Sequence, residues 1–140
     1  MLKISIVTIC FNSAKTVSST LESVRDQKYK LIEHIIIDGN SSDETVSICK
    51  KFKHISKIIS EEDTGVYEAF NKGLKIATGD IIGFLNSDDT FYDQNSLGQI
   101  INGFDEDTDA VFGNLQFYNN RNNIVRKLQK GYSSIKYLSN

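Results

Sequence analysis

The chain has 140 residues, 39% hydrophobic and 24% charged, with a formal net charge of −2. That suits a single domain over residues 1–140, able to bury about two-thirds of its unfolded surface. It excludes a strongly basic face for duplex nucleic acid, so no nucleic-acid partner is expected.

No apolar run approaches the roughly 20 residues of a transmembrane span, and the opening "MLKISIVTICFN" is too short and interrupted for a signal peptide. A cytoplasmic location is the expectation. Ile4 to Ile9 is apolar except at Ser5 and Thr8, which fits a strand buried on both faces. Asn12-Ser13 opens a helix with Val17, Leu21 and Val24 at helical spacing, and a second strand, Ile32 to Ile37, ends at Asp38-Gly39. Ser41 and Glu44 have the spacing of a capping box, predicting a helix that carries Val46, Cys49 and Phe52. A shorter strand follows over Ile55 to Ile59. The next helix, Val66 to Ala77, is expected to carry Val66, Phe70 and Leu74 on one stripe. Gly79-Asp80 then turns the chain into a strand from Ile81 to Leu85. Leu97, Ile100, Ile101 and Phe104 predict one more helix. Ala110 to Phe117 reads as a strand, Asn119-Asn120 as a turn and Ile124 to Leu128 as the returning strand. Alternation through residue 104 predicts parallel strands joined by right-handed crossovers. The fold class is therefore α/β, a mostly parallel, Rossmann-like sheet flanked by helices, with an antiparallel hairpin at its end.

In such a sheet ligands bind beyond the carboxyl ends of the strands. Four polar clusters fall there: Cys10-Phe11-Asn12, Asp38-Gly39-Asn40, Glu61 to Gly65, and Asn86-Ser87-Asp88-Asp89. No GxGxxG follows the first strand and no GxxxxGK[ST] occurs, so a dinucleotide oxidoreductase and a P-loop NTPase both lose their main support. Adjacent carboxylates would repel a diphosphate. A divalent cation reverses this, because Mg²⁺ takes one or two protein carboxylates and completes its shell with water and substrate oxygens. Taken singly, each cluster also reads as a turn or a helix cap; their convergence on one edge argues for a site. Cys10 and Cys49 are isolated and read as reduced and buried, and His34 and His54, in or beside apolar runs, read as structural.

Three segments carry a resemblance. "SIVTICFNSAKTVSSTLESVRDQKY", "EHIIIDGNSSDETVSICKKF" and "SEEDTGVYEAFNKGLKIATGDIIGFLNSDDTF" are similar to family 2 glycosyltransferases of the GT-A fold, closest in style to bacterial enzymes of cell-surface polysaccharide synthesis. The third is the most specific, combining Asp63, Gly65, Ala69, Asn71-Lys72-Gly73, Ala77, Gly79 and Asp88-Asp89. The resemblance implies inverting, metal-dependent transfer of a sugar from a nucleotide diphosphate, commonly UDP, to a hydroxyl of a saccharide or lipid-linked saccharide. It places Phe11 at the base and Asp38 against it, where a carboxylate can accept the imide N–H of uracil. Asp63 would line the nucleotide pocket, Asn71 and Lys72 would lie near the sugar nucleotide, Asp88 near the ribose, and Asp89 with Asp88 on Mn²⁺ or Mg²⁺. Work at the inner face of the membrane, peripheral membrane contact and homo-oligomerisation stay open.

The chain departs from the pattern at three places. Asn86 stands where many relatives have Asp, and Ile9-Cys10 where they have Pro-Thr or Pro-Ser. The catalytic base is expected beyond Asn140, since Asp105, Glu106, Asp107 and Asp109 come too early and read as a loop. This implies a chain truncated before the acceptor-side half, with Tyr132, Ile135, Tyr137 and Leu138 expected to pack on missing structure. The alternatives are a non-catalytic nucleotide-sugar-binding or assembly module, and a nucleotidyltransferase. The latter wants a Gly- and Lys/Arg-rich loop where Asn12-Ser13-Ala14-Lys15 stands.

Overall fold

Ile4–Cys10 forms strand β1, buried at all seven positions. Such complete burial follows from its central place in a four-stranded sheet with β2 (Ile32–Asp38), β3 (Ile55–Ser60) and β4 (Ile81–Asn86), in the order β3-β2-β1-β4. Every pairing is parallel, as the alternation with α1 (Val17–Arg25), α2 (Thr45–Cys49) and α3 (Val66–Ile76) predicts. The computed structural model describes residues 1–119, 123–128 and 133–135, the last three by their backbone. The chain divides into two compact units, Met1–Asn95 and Ser96–Asn140.

Within the first unit the period-two alternation of strand side chains builds two cores. Val7, Ile9, Ile35 and Ile37 pack with Ala69 of α3 on one face; Cys10 and Ile36 pack with Val17 and Leu21 of α1 and Cys49 of α2 on the other. Val17, Leu21 and Val24 are all buried, as their spacing requires. Both cysteines are free and buried. His34 is fully buried, with Nε2 at 3.0 Å from the Thr8 hydroxyl and Nδ1 at 3.1 Å from His54 Nε2. Burial, and then the neighbouring His54, hold its pKa down at about 3, so it packs as a neutral structural histidine.

Two expectations fail. The capping box does not form: Ser41 bonds Asp38 instead, and the helix begins only at Thr45, whose N–H and hydroxyl donate to Asp43. The helix is then five residues long, and Phe52 packs on the core from beyond it. On α3 the buried stripe is Ala69 and Gly73, while Val66 and Leu74 are about half exposed. A Cβ on Gly73 would lie 2.3 Å from Val7 Cγ1, so the helix meets the sheet through its smallest residues. Of the expected stripe, only Phe70 packs against the core.

In the second unit, α4 (Ser96–Ile101) buries Leu97. The strand expected over 110–117 is two strands, β5 (Ala110–Phe112) and β6 (Leu115–Tyr118), broken at Gly113-Asn114. The returning strand β7 (Ile124–Leu128) pairs with β6 antiparallel, as expected, and β8 (Ser133–Ile135) pairs with β5. Asp105, Asp107 and Asp109 lie in the loop between α4 and β5. Asn120, Tyr132, Tyr137 and Leu138 lie outside the described residues, as does the side chain of Ile135. No helix among the described residues is long and apolar enough to cross a membrane.

Candidate nucleotide-sugar site

The parallel ladder ends at one edge: Cys10 pairs with Asp38, Asp38 with Ser60, and Ile9 with Asn86. Beyond it opens a cleft of about 1070 Å³, lined among others by Phe11, Asn12, Ser13, Gly39, Asp63, Tyr67, Asn86, Ser87 and Asp88. The four polar clusters of the sequence thus meet around one cavity. Backbone geometry contributes, since Asn12 (φ 48°) and Gly65 (φ 129°) line the cleft and Asn40 (φ 62°) follows Gly39. Asparagine is among the few side-chain-bearing residues that tolerate the left-handed region.

The loop after β1 is tied to the loop after β2. Asn12 N–H donates to Ser41 Oγ, Ser42 N–H to Asn12 Oδ1, Ser13 N–H to Thr45 Oγ1 and Ala14 N–H to Asp43 Oδ2, at 2.7–3.0 Å. The Thr45 hydroxyl holds the Asp43 pKa below the ordinary carboxylate range. This frame leaves the Phe11 ring 66% exposed over the cleft.

The expected site residues fall into two groups. Phe11, Asp63 and Asp88 line the cleft; Asp38, Asn71, Lys72 and Asp89 are not part of its lining. Asp38 is fully buried, its carboxylate accepting from Ser41 N–H, Ser41 Oγ and Ser60 Oγ. Asp63 Oδ1 accepts from Gly65 N–H, and its Oδ2 lies 2.9 Å from where a Cβ on Gly39 would stand. The Asp-Gly pair is thus a packing requirement as well as a turn, because any side chain at 39 would displace Asp63. Asn71 is exposed on α3. Lys72 Nζ donates to the Glu62 carbonyl at 2.7 Å and pairs with Glu61 at 3.1 Å and Glu68 at 3.3 Å. Burial opposes its charge, but the bonds to Glu61 and Glu68 prevail and raise its pKa.

At the end of β4 the two acids differ. Asp88 is exposed at the cleft. Asp89 accepts from Asn86 Nδ2 at 3.0 Å, and its N–H donates to the Asn86 carbonyl at 3.1 Å. Asn86 therefore supplies a donor where an aspartate would repel Asp89. No cluster of three or more His, Cys, Asp or Glu able to hold a metal occurs among the described residues. Of the two adjacent carboxylates only that of Asp88 lines the cleft, and a hard cation of the Mg²⁺ type needs only one or two protein carboxylates, its other positions being filled by oxygens from elsewhere.

Sequence reasoning missed Tyr67, which is 83% exposed and lines the cleft from the first turn of α3, and, although it placed Ser87 in the fourth polar cluster, it missed the meeting of that hydroxyl with Ser13 Oγ at 2.7 Å. It also missed Ser41 and Ser60 as the partners of Asp38. The Asp38–Ser41 spacing was a usable signal, since Asp side chains bond backbone N–H groups a few residues on.

Comparison with known proteins agrees with this architecture. The chain is 38% identical over 100 residues to an uncharacterized glycosyltransferase of Mycobacterium tuberculosis, covering 70% of this chain and 38% of that protein. It is 33% identical over 117 residues to a PGL/p-HBAD biosynthesis glycosyltransferase of Mycobacterium bovis, covering 79% and 46%. The chain thus spans less than half the length of these curated relatives. Among solved structures, S. aureus TarS 1-349 in complex with UDP-GlcNAc superposes with a TM-score of 0.68 at 25% identity, over 75% of this chain and 32% of that one. The mannosyltransferase PcManGT from Pyrobaculum calidifontis, in complex with GDP-Man and Mn²⁺, superposes with a TM-score of 0.72 at 20% identity, over 86% and 36%, and shows the shared fold. The model of glycosyl transferase family 2 matches residues 5–139, nearly the whole chain, and to that family the chain belongs.

Proposed function

We propose that this chain binds the donor of a glycosyltransferase: a sugar on a nucleoside diphosphate, with UDP as the nucleotide, moved with inversion to a hydroxyl of a saccharide or lipid-linked saccharide. The setting is the synthesis of cell-surface polysaccharide on the cytoplasmic side of the membrane. The observation that carries the reading is one cleft at the carboxyl edge of a parallel sheet holding an exposed aromatic ring, Phe11, and an exposed carboxylate, Asp88. The binding of UDP-GlcNAc by TarS, 25% identical, supports it.

Each residue has a task in this reading. Phe11 offers a ring face to the base, as aromatic side chains do for nucleobases. Asp38, fully buried and outside the cleft lining with its carboxylate taken by Ser41 and Ser60, supports the loop beside the base, and accepting the imide N–H of uracil would require it to give up one of those partners. Asp63 fixes Gly39 and walls the nucleotide pocket, with Asn71 and Lys72 on the sugar-nucleotide side along α3. Asp88 and Asp89 would hold Mg²⁺ or Mn²⁺. When bound, such a cation neutralises charge on the diphosphate leaving group.

Titration with UDP in Mn²⁺ and in EDTA tests the reading. Binding is expected to be tighter in Mn²⁺, and Asp89→Ala to remove that gain while leaving the fold intact. Undiminished Mn²⁺-dependent binding by Asp89→Ala would overturn the assignment. Release of the sugar from UDP-sugars separates an enzyme from a module that only binds donor.

A further inference from the structure

Each side of the cleft is tied internally by hydrogen bonds, and Ser87 joins the two, meeting Ser13 and also bonding the Cys10 thiol. On one side, the loop carrying Phe11 is held by the four bonds to Ser41, Ser42, Asp43 and Thr45. On the other, the turn carrying Asp88 and Asp89 is closed on itself by Asn86, through both its carbonyl and its amide. The β1–β4 ladder ends at Ile9 and Asn86. There the Ser13 and Ser87 hydroxyls meet at 2.7 Å. Ser87 is 9% exposed and sits between the exposed Asn86 and Asp88.

We propose that the Ser13–Ser87 hydrogen bond is a positioning strut that sets the separation between the base-stacking ring and the metal-binding acids. Ser13 and Ser87 act through Phe11 on one side and Asp88-Asp89 on the other, and neither needs to touch the donor. The inference rests on the metal role given above to Asp88 and Asp89. A nucleoside diphosphate held at its base by one side and through a cation by the other must match a fixed span. A ligand held by the base side alone is indifferent to that span. The strut therefore matters only when both ends engage, which a purely structural bond would not show.

The test is UDP affinity, in Mn²⁺ and in EDTA, for the wild type, Ser13→Ala, Ser87→Ala, the double variant, Ser13→Thr and Asp89→Ala. The net worth of one neutral hydrogen bond corresponds to about fivefold in an equilibrium constant. Each Ala variant is expected to lose about fivefold in Mn²⁺ and less than twofold in EDTA. The double variant should lose clearly less than the sum of the two single ones, because the shared bond counts once, although Ser13→Ala also removes the Oγ contacts with the Phe11 N–H and carbonyl and Ser87→Ala a bond to the Cys10 thiol. Ser13→Thr, which keeps a hydroxyl on the more open of the two residues, should restore wild-type affinity. Equal losses in Mn²⁺ and EDTA, or additive losses in the double variant, would overturn the strut. So would wild-type behaviour of Ser87→Ala alongside an Asp89→Ala that has lost its Mn²⁺ response. If Asp89→Ala keeps that response, the metal reading itself falls and the strut with it.

Discussion

At the amino-terminal edge of the sheet Glu33 is enclosed. Its carboxylate accepts from Ser5 Oγ, from the N–H and hydroxyl of Thr78, and from Lys3 Nζ, and Ser5 Oγ in turn accepts from Gly79 N–H. At the carboxyl-terminal edge Asp88 is exposed, and no hydrogen bond or ion pair among the described residues engages its carboxylate. Glu33 lies near the start of β2 and Asp88 two residues past the end of β4. One fastens the turn between α3 and β4 to β1 and β2; the other waits at a cavity. The difference separates acids used to build the fold from acids free to take a ligand, and sequence alone does not mark it.

The sharpest test of this contrast exchanges the readouts. Glu33→Ala strips three elements of a shared acceptor and should lower unfolding stability by about 2–3 kcal/mol, with UDP affinity unchanged. Asp88→Asn should do the reverse, shifting the denaturant midpoint little while weakening Mn²⁺-dependent binding. Acid adds a second arm. Burial works against the Glu33 charge, but the bonds from Ser5, Thr78 and Lys3 prevail and hold its pKa at about 2 against the ordinary 4.5. A depressed folded pKa gives stability that is present above the unfolded value and lost as pH falls through the folded one. The stability gap between wild type and Glu33→Gln should therefore be widest above pH 4.5 and close toward pH 2. A gap independent of pH would mean that Glu33 acts by packing.

The next effect in size concerns Phe11, which tests the open edge without touching its acids. Base–aromatic stacking is worth about 1–3 kcal/mol, so Phe11→Ala should weaken UDP about tenfold in Mn²⁺ and in EDTA alike. Loss confined to the Mn²⁺ condition would put the ring at the phosphate end. Uridine competition against UDP distinguishes the two placements directly.

The parallel order, the strand ends and the meeting of four polar clusters were legible because buried strands write themselves as apolar runs, and parallel topology then forces their carboxyl ends together. Legibility failed where two readings of a local pattern competed, where packing favoured small residues, and where partners lay far apart in sequence. Ser41 looked like a helix cap because only its neighbours were visible, whereas Asp38 takes both its N–H and its hydroxyl. The α3 stripe was right at Phe70 but missed Ala69 and Gly73, because close packing on Val7 selects small residues that a hydrophobic pattern ignores. Ser13 and Ser87 are 74 positions apart and carry no pattern at all.

Lys72 gives the smallest expected effect and the finest discrimination. Its position after Asn71 suggests an ammonium near a phosphate, yet its donors reach Glu61, the Glu62 carbonyl and Glu68. Glu68 is held as a carboxylate by the Thr64 hydroxyl and N–H and then by Lys72, with its pKa at about 2. Recruiting Lys72 to a phosphate would mean leaving two carboxylates without their cation. Solvent-screened ion pairs of this kind contribute little, so Lys72→Met should leave the denaturant midpoint nearly unchanged. If those pairs persist in the bound state, UDP affinity should fall less than threefold, through looser support of the loop that carries Asp63. A charge-assisted bond to phosphate would instead be worth about 1.5–3 kcal/mol, and its removal would weaken UDP by tenfold or more while sparing uridine. Measuring UDP and uridine side by side for Lys72→Met therefore decides whether this lysine belongs with Glu33, as part of the frame, or with Asp88, as part of the site.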